Sequence, residues 1–94
     1  MDKKIKIVST VESYALLSRV ESIISPLYEM YEVEKEYKFR SGYSVIWYGD
    51  KDSLNIYHYE LDKIGLTYSN FSGVLVKNGK SIQLRMEHIT EKIK

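Results

Sequence analysis

The chain has 94 residues, 44% of them apolar and 29% charged, with 14 basic and 13 acidic side chains and no cysteine. That length suits one hydrophobic core and excludes a second, so a single domain over residues 1–94 is expected, burying roughly 60–70% of its unfolded surface. The lack of cysteine excludes disulfides, thiolate ligands and cysteine nucleophiles, and a formal charge of +1 excludes a global field drawing the protein to nucleic acid.

The start carries lysines, but Ser9 and Thr10 follow where a signal peptide needs a long apolar run. No apolar stretch approaches the roughly 20 residues of a membrane span. A soluble, cytoplasmic protein with no membrane contact is expected. The abundance of lysine, isoleucine and tyrosine mirrors AT-rich codons, the usage of low-GC bacteria and their phages.

Residues 4–8 alternate, Ile5 and Ile7 against Lys4 and Lys6, which predicts a half-buried first strand. Ser9 with Glu12 three residues on has capping-box spacing, and Leu16, Val20, Ile23, Ile24, Leu27 and Tyr31 follow at helical intervals. Pro26 lacks an amide proton, so the helix is expected to break near Ser25. Val33 to Arg40 alternates, Ser41-Gly42 supplies a turn, and Tyr43 to Tyr48 forms the second arm of a hairpin. That arm is apolar on both faces, which places it centrally in the sheet.

Asp50 to Ser53 offer N-cap chemistry, and Leu54, Tyr57, Leu61 and Ile64 predict a second helix over 53–64, closed by Gly65. The alternative for this segment is an edge strand, since Asn55 to Tyr59 have strand propensities. Gly73 to Lys77 and Ser81 to Met86 alternate around Asn78-Gly79, a hairpin turn signal. Ile89 and Ile93, four apart, suggest that 87–94 either forms a last helical turn against the sheet or stays loose.

The resulting order is α+β, a ferredoxin-like split β-α-β-β-α-β pattern with an added C-terminal hairpin and both helices on one sheet face. The other face would then present Lys4, Lys6, Tyr43, Val45, Trp47, Gln83 and Arg85, with Lys38 and Arg40 beside them. Tyr43, Val45, Trp47, Lys6, Lys38, Arg40 and Arg85 are the candidate binding residues.

Enzyme machinery is not evident. His58 and His88 stand away from any carboxylate or second histidine at metal-ligand spacing, so no metal and no cofactor is expected. Asp50 and Asp52 read as turn and cap residues. The five glycines are scattered singly, which excludes a phosphate-binding loop, and no serine sits in a nucleophile elbow.

Gly42, Tyr43, Ser44, Ile46 and Tyr48 match the glycine, aromatic, small, aliphatic and aromatic positions of a strand signature, and in this stretch the chain resembles the RNA-recognition motif family. The resemblance implies a base-stacking Tyr43 with Ile46 and Tyr48 in the core. Arg40 stands one residue before the family's basic position, and Val45 and Lys6 stand where it has aromatics.

The expectation drawn from all this is a non-enzymatic binding protein acting through the aromatic and basic sheet face on a protein partner, or by self-association as a homodimer. A phage or mobile-element inhibitor of a host defence protein fits the size and codon usage. An RNA or single-stranded DNA binder is the first alternative, and a small-ligand-binding regulatory dimer the second.

Overall fold

The fold is described from a computed structural model covering residues 4–28, 33–39 and 42–92, with the backbone alone for 28 and 33–39. The isoleucine–lysine alternation builds β1 (Ile5–Val11), which runs on past Val8 because Ser9 and Val11 continue the buried row begun by Ile7. Ser9 is therefore not a helix cap. That role falls to Ser13, whose Oγ accepts from the Leu16 N–H at 3.2 Å and whose carbonyl accepts from the Leu17 N–H at 3.0 Å. Helix α1 (Tyr14–Tyr28) passes through Pro26 without breaking. The proline sits in the last turn, where one backbone hydrogen bond is lost and no later turn must be realigned.

β2 (Val33–Phe39) and β3 (Gly42–Gly49) pair as the expected antiparallel hairpin. Asp50 caps α2 (Lys51–Lys63), its carboxylate accepting from the Ser53 N–H and Oγ–H, each at 2.9 Å. Leu54, Tyr57 and Leu61 are buried along one face, so helical periodicity prevails over the local strand propensity. Gly65 follows at φ 81°, the left-handed conformation of a helix C-terminus.

β4 (Leu66–Lys77) and β5 (Lys80–Glu91) form a hairpin longer than its sequence signal. Asn78 at φ 53° and Gly79 at φ 75° give both central turn residues the positive φ that an Asn-Gly hairpin turn requires. The helical turn suggested as one alternative within 87–94 is absent up to Lys92, because β5 runs on to Glu91. Ile89 does face the core, but through strand alternation: it is buried between His88 and Thr90, with β4 pairing alongside.

The five strands form one mixed sheet in the order β2-β3-β1-β5-β4, with β1 antiparallel to β3 and parallel to β5. The chain is thus a small α+β fold compatible with a ferredoxin-like arrangement, with β5 beside β1 and β4 at the edge. Ile7, Val11, Val45, Trp47 and Ile89 from the sheet pack with Leu17, Val20, Ile24, Leu54, Tyr57 and Leu61 from the helices in one core. Among the described residues no helix is long and apolar enough to cross a membrane.

Candidate functional site

The expected aromatic sheet face does not exist as a single surface. Ile7 pairs with Trp47, Ser9 with Val45 and Val11 with Tyr43, which puts all three β3 residues on the side the helices cover. Trp47 and Val45 are 0% and 2% exposed, so neither reaches a partner. Trp47 meets the Tyr57 ring edge-on with centroids 5.2 Å apart, and half-buried Tyr43 meets Tyr14 at 5.8 Å. Lys6 pairs with Tyr48 on the opposite, helix-free side. The reason for the misplacement is parity: a strand apolar on both faces carries no alternation, and a slip of one residue inverts every side chain. The same parity reverses what the RNA-recognition resemblance implies, since Tyr43 packs toward the helices and Ile46 and Tyr48 face away.

Lys38 belongs to β2, but its side chain lies outside the described residues, as does Arg40 altogether. Arg85 does line an open cleft, yet on the helix side. This cleft, of about 830 Å³, lies between the start of α2 and the β4–β5 ribbon, with Arg85, Ser72, Gly73, His58, Tyr68 and Lys51 among its walls.

Beneath the cleft lies a polar cluster that sequence spacing did not reveal. The Glu87 side chain is fully buried, and its Oε2 accepts from Arg85 Nε at 2.6 Å and meets His58 Nε2 at 2.6 Å. Its other oxygen, Oε1, is buried with no hydrogen-bond partner among the described residues. His58 is therefore not isolated; its carboxylate partner is 29 positions away and reaches it only through the fold. The Tyr68 ring stacks on His58 with centroids 4.1 Å apart and planes 13° apart. Tyr68 Oη lies 3.2 Å from Nδ1, but between parallel rings it approaches the imidazole face and not the lone pair, so stacking is the dominant contact. His88 too has a neighbour, Thr10 Oγ1 at 2.9 Å from Nδ1.

Burying a carboxylate is tolerated when charge-assisted hydrogen bonds compensate it, and removing one partner of such a pair typically costs about 3–5 kcal/mol. The cluster ties α2 to β5. Tyr57 adds to it from below, donating to Ser9 Oγ at 2.8 Å; burial, reinforced by the Glu87 charge, pushes its hydroxyl well above the ordinary tyrosine range. No group of three or more histidine or acidic side chains among the described residues is placed to hold a metal ion.

The second candidate surface is the outer edge of the sheet. β4 ends the sheet, and from Leu66 to Val76 it contains no charge and no proline, with an unbroken register along β5. Phe71, Val74 and Val76 are each more than 60% exposed. The opposite edge, β2, is built differently: Glu34, Lys35, Glu36 and Lys38 fall within seven residues, and its pairing is irregular between Glu34 and Tyr37. Charges and bulges are the usual means by which an edge strand is kept from pairing with other chains. One edge of this sheet is protected and the other is not.

On the helix-free side, the row Ile46, Val8, Met86 and Phe71 crosses the sheet, and its exposure rises from 8% at Ile46 to 66% at Phe71. The apolar surface therefore gathers at the β4 edge, away from the sheet centre. The signal was legible as an uncharged run, but its place at an edge depends on strand order. Comparisons with protein-family models, curated proteins and solved structures return no match for this chain.

Proposed function

We propose that this is a non-enzymatic binding protein whose β4 edge accepts an extended strand from a protein partner, on a ferredoxin-like core with an added hairpin. The observation that carries the reading is the contrast between the two edges: β4 is long, regular and uncharged from Leu66 to Val76, while β2 is short, charged and irregular. An unprotected edge offers a row of unpaired backbone donors and acceptors, and strand addition converts them into hydrogen bonds while neighbouring side chains supply specificity. Phe71 and Leu75 on one face and Val74 and Val76 on the other supply apolar contacts to such a strand. This reading keeps the protein partner expected from composition and moves the contact from the centre of the sheet to its edge.

The test is selection of peptides from a displayed random library, followed by amide chemical-shift mapping on the isotopically labelled chain. Selected peptides should perturb amides of residues 67–77 most strongly. Val74→Lys and Val76→Lys should each weaken binding by about tenfold or more, corresponding to about 1.4 kcal/mol, with melting temperature unchanged because both positions are exposed. Shifts centred on the Ile46–Val8 row, or affinity indifferent to both lysines, would overturn the proposal.

A further inference from the structure

The β4–β5 ribbon is basic from the end of β4 through the first part of β5, its two carboxylates, Glu91 and buried Glu87, lying toward the far end of β5. From Leu66 to Met86 the chain contains Lys77, Lys80 and Arg85 and no acidic residue, although the whole chain is only +1. On the helix side, Ser72 pairs with Arg85, and Arg85 lines the cleft. Ser72 is the small residue between the free edge and that guanidinium. A side chain on an added strand opposite Ser72 would therefore meet little obstruction on its way to Arg85. Two strand spacings amount to about 10 Å, a gap that a glutamate and an arginine span together.

We infer that the strand accepted by β4 is acidic, carrying a glutamate or aspartate opposite Ser72 whose carboxylate enters the mouth of the cleft and pairs with Arg85. This rests on the proposed strand addition and names the chemistry of its partner. An arginine fork presents five N–H donors, and Nε–H alone goes to Glu87. The cleft also fixes where the carboxylate stops. Asp50 and Asp52 stand on its α2 wall together with Lys51, whereas Arg85 pairs with Ser72 on the sheet side, so the guanidinium is the cation that an acid entering past Ser72 meets first. A second copy of the chain is a poorer occupant, because its β4, uncharged from Leu66 to Val76, has no carboxylate to place opposite Ser72. Nucleic acid would use the cations but leave the apolar Val74, Leu75 and Val76 and the backbone edge unmatched.

Three synthetic nine-residue peptides of alternating threonine and valine, with glutamate, glutamine or lysine at the centre, test this on the unmodified chain. The expected result is that all three shift β4 amides, that the glutamate peptide binds about tenfold tighter than the glutamine one, and that it alone moves the Arg85 Nε–H resonance. The advantage should shrink as salt rises. Equal affinity of the glutamate and glutamine peptides, with β4 amides still shifting, would overturn the acidic preference and leave strand addition standing. No β4 shift with any peptide would overturn both. Tight binding of a single-stranded oligonucleotide on the ribbon, with no glutamate preference, would likewise overturn the inference in favour of nucleic acid. Arg85→Gln should erase the glutamate advantage; because it also removes a partner of buried Glu87, it is scored only if its thermal unfolding shows a folded protein.

Discussion

At the scale of single residues, the buried polar groups are the most demanding feature of a chain this small. Tyr57 is fully buried, donates to Ser9 and lies in the field of Glu87. Burial raises its folded pKa above the unfolded value near 10, so the associated stability is complete below pH 10. Above that pH the unfolded chain loses a proton that the folded chain keeps, and stability falls by about 1.4 kcal/mol per pH unit until the folded group also ionises. Urea unfolding of the native chain between pH 9 and 11 should show this decline, and Tyr57→Phe should flatten it while lowering stability at pH 7 by about 1 kcal/mol through loss of the Ser9 hydrogen bond. A decline unchanged in Tyr57→Phe would place the titration on other tyrosines. Trp47 illustrates the other limit of residue-level reasoning: tryptophan's enrichment at interfaces is a tendency, and its large apolar ring here fills the core against Tyr57.

At the scale of elements, β3 approaches β1 closely at Gly42. A Cβ added at Gly42 would lie 2.2 Å from the Val11 carbonyl oxygen, which is backbone and cannot swing aside. The glycine that matches a nucleic-acid motif in sequence thus serves strand packing in the fold. Gly42→Ala is expected to destabilise the chain by about 3 kcal/mol, the upper end of overpacked core substitutions, as read by chemical denaturation. A near-neutral result would mean that β3 can shift relative to β1 without loss. The β4–β5 turn was the element most legible in sequence, because Asn78-Gly79 accepts positive φ, whereas residues 53–64 read as helix or edge strand until the Asp50 cap and the buried Leu54, Tyr57 and Leu61 decided for the helix. The α1 cap was less legible, since Ser9 and Ser13 both precede the apolar stripe and only strand pairing removes Ser9 from contention.

At the scale of the whole molecule, stability is expected to be uneven along the β4–β5 ribbon. β1 pairs with β5 from Gln83 to His88, so the ribbon between Val74 and Ile82 extends past its support, and few of its residues are buried. Hydrogen exchange should show the amides of 74–82 opening locally, well before those of β1 and β3, whose exchange should follow global unfolding. Uniform protection along the ribbon would indicate that its outer edge is already covered, as in a self-associated state.

The sequence by itself determined what depends on near neighbours: the α+β composition, the first amphipathic helix and the Asn-Gly hairpin. Tertiary structure alone decided which face of β3 the helices cover, that β5 lies beside β1, that β4 is left as an unprotected edge, and that Glu87 meets His58 and Arg85. The reason is that alternation and capping act over a few residues, whereas strand parity and order are set by pairings between distant segments. A strand apolar on both sides, such as Tyr43 to Tyr48, holds no local record of that choice.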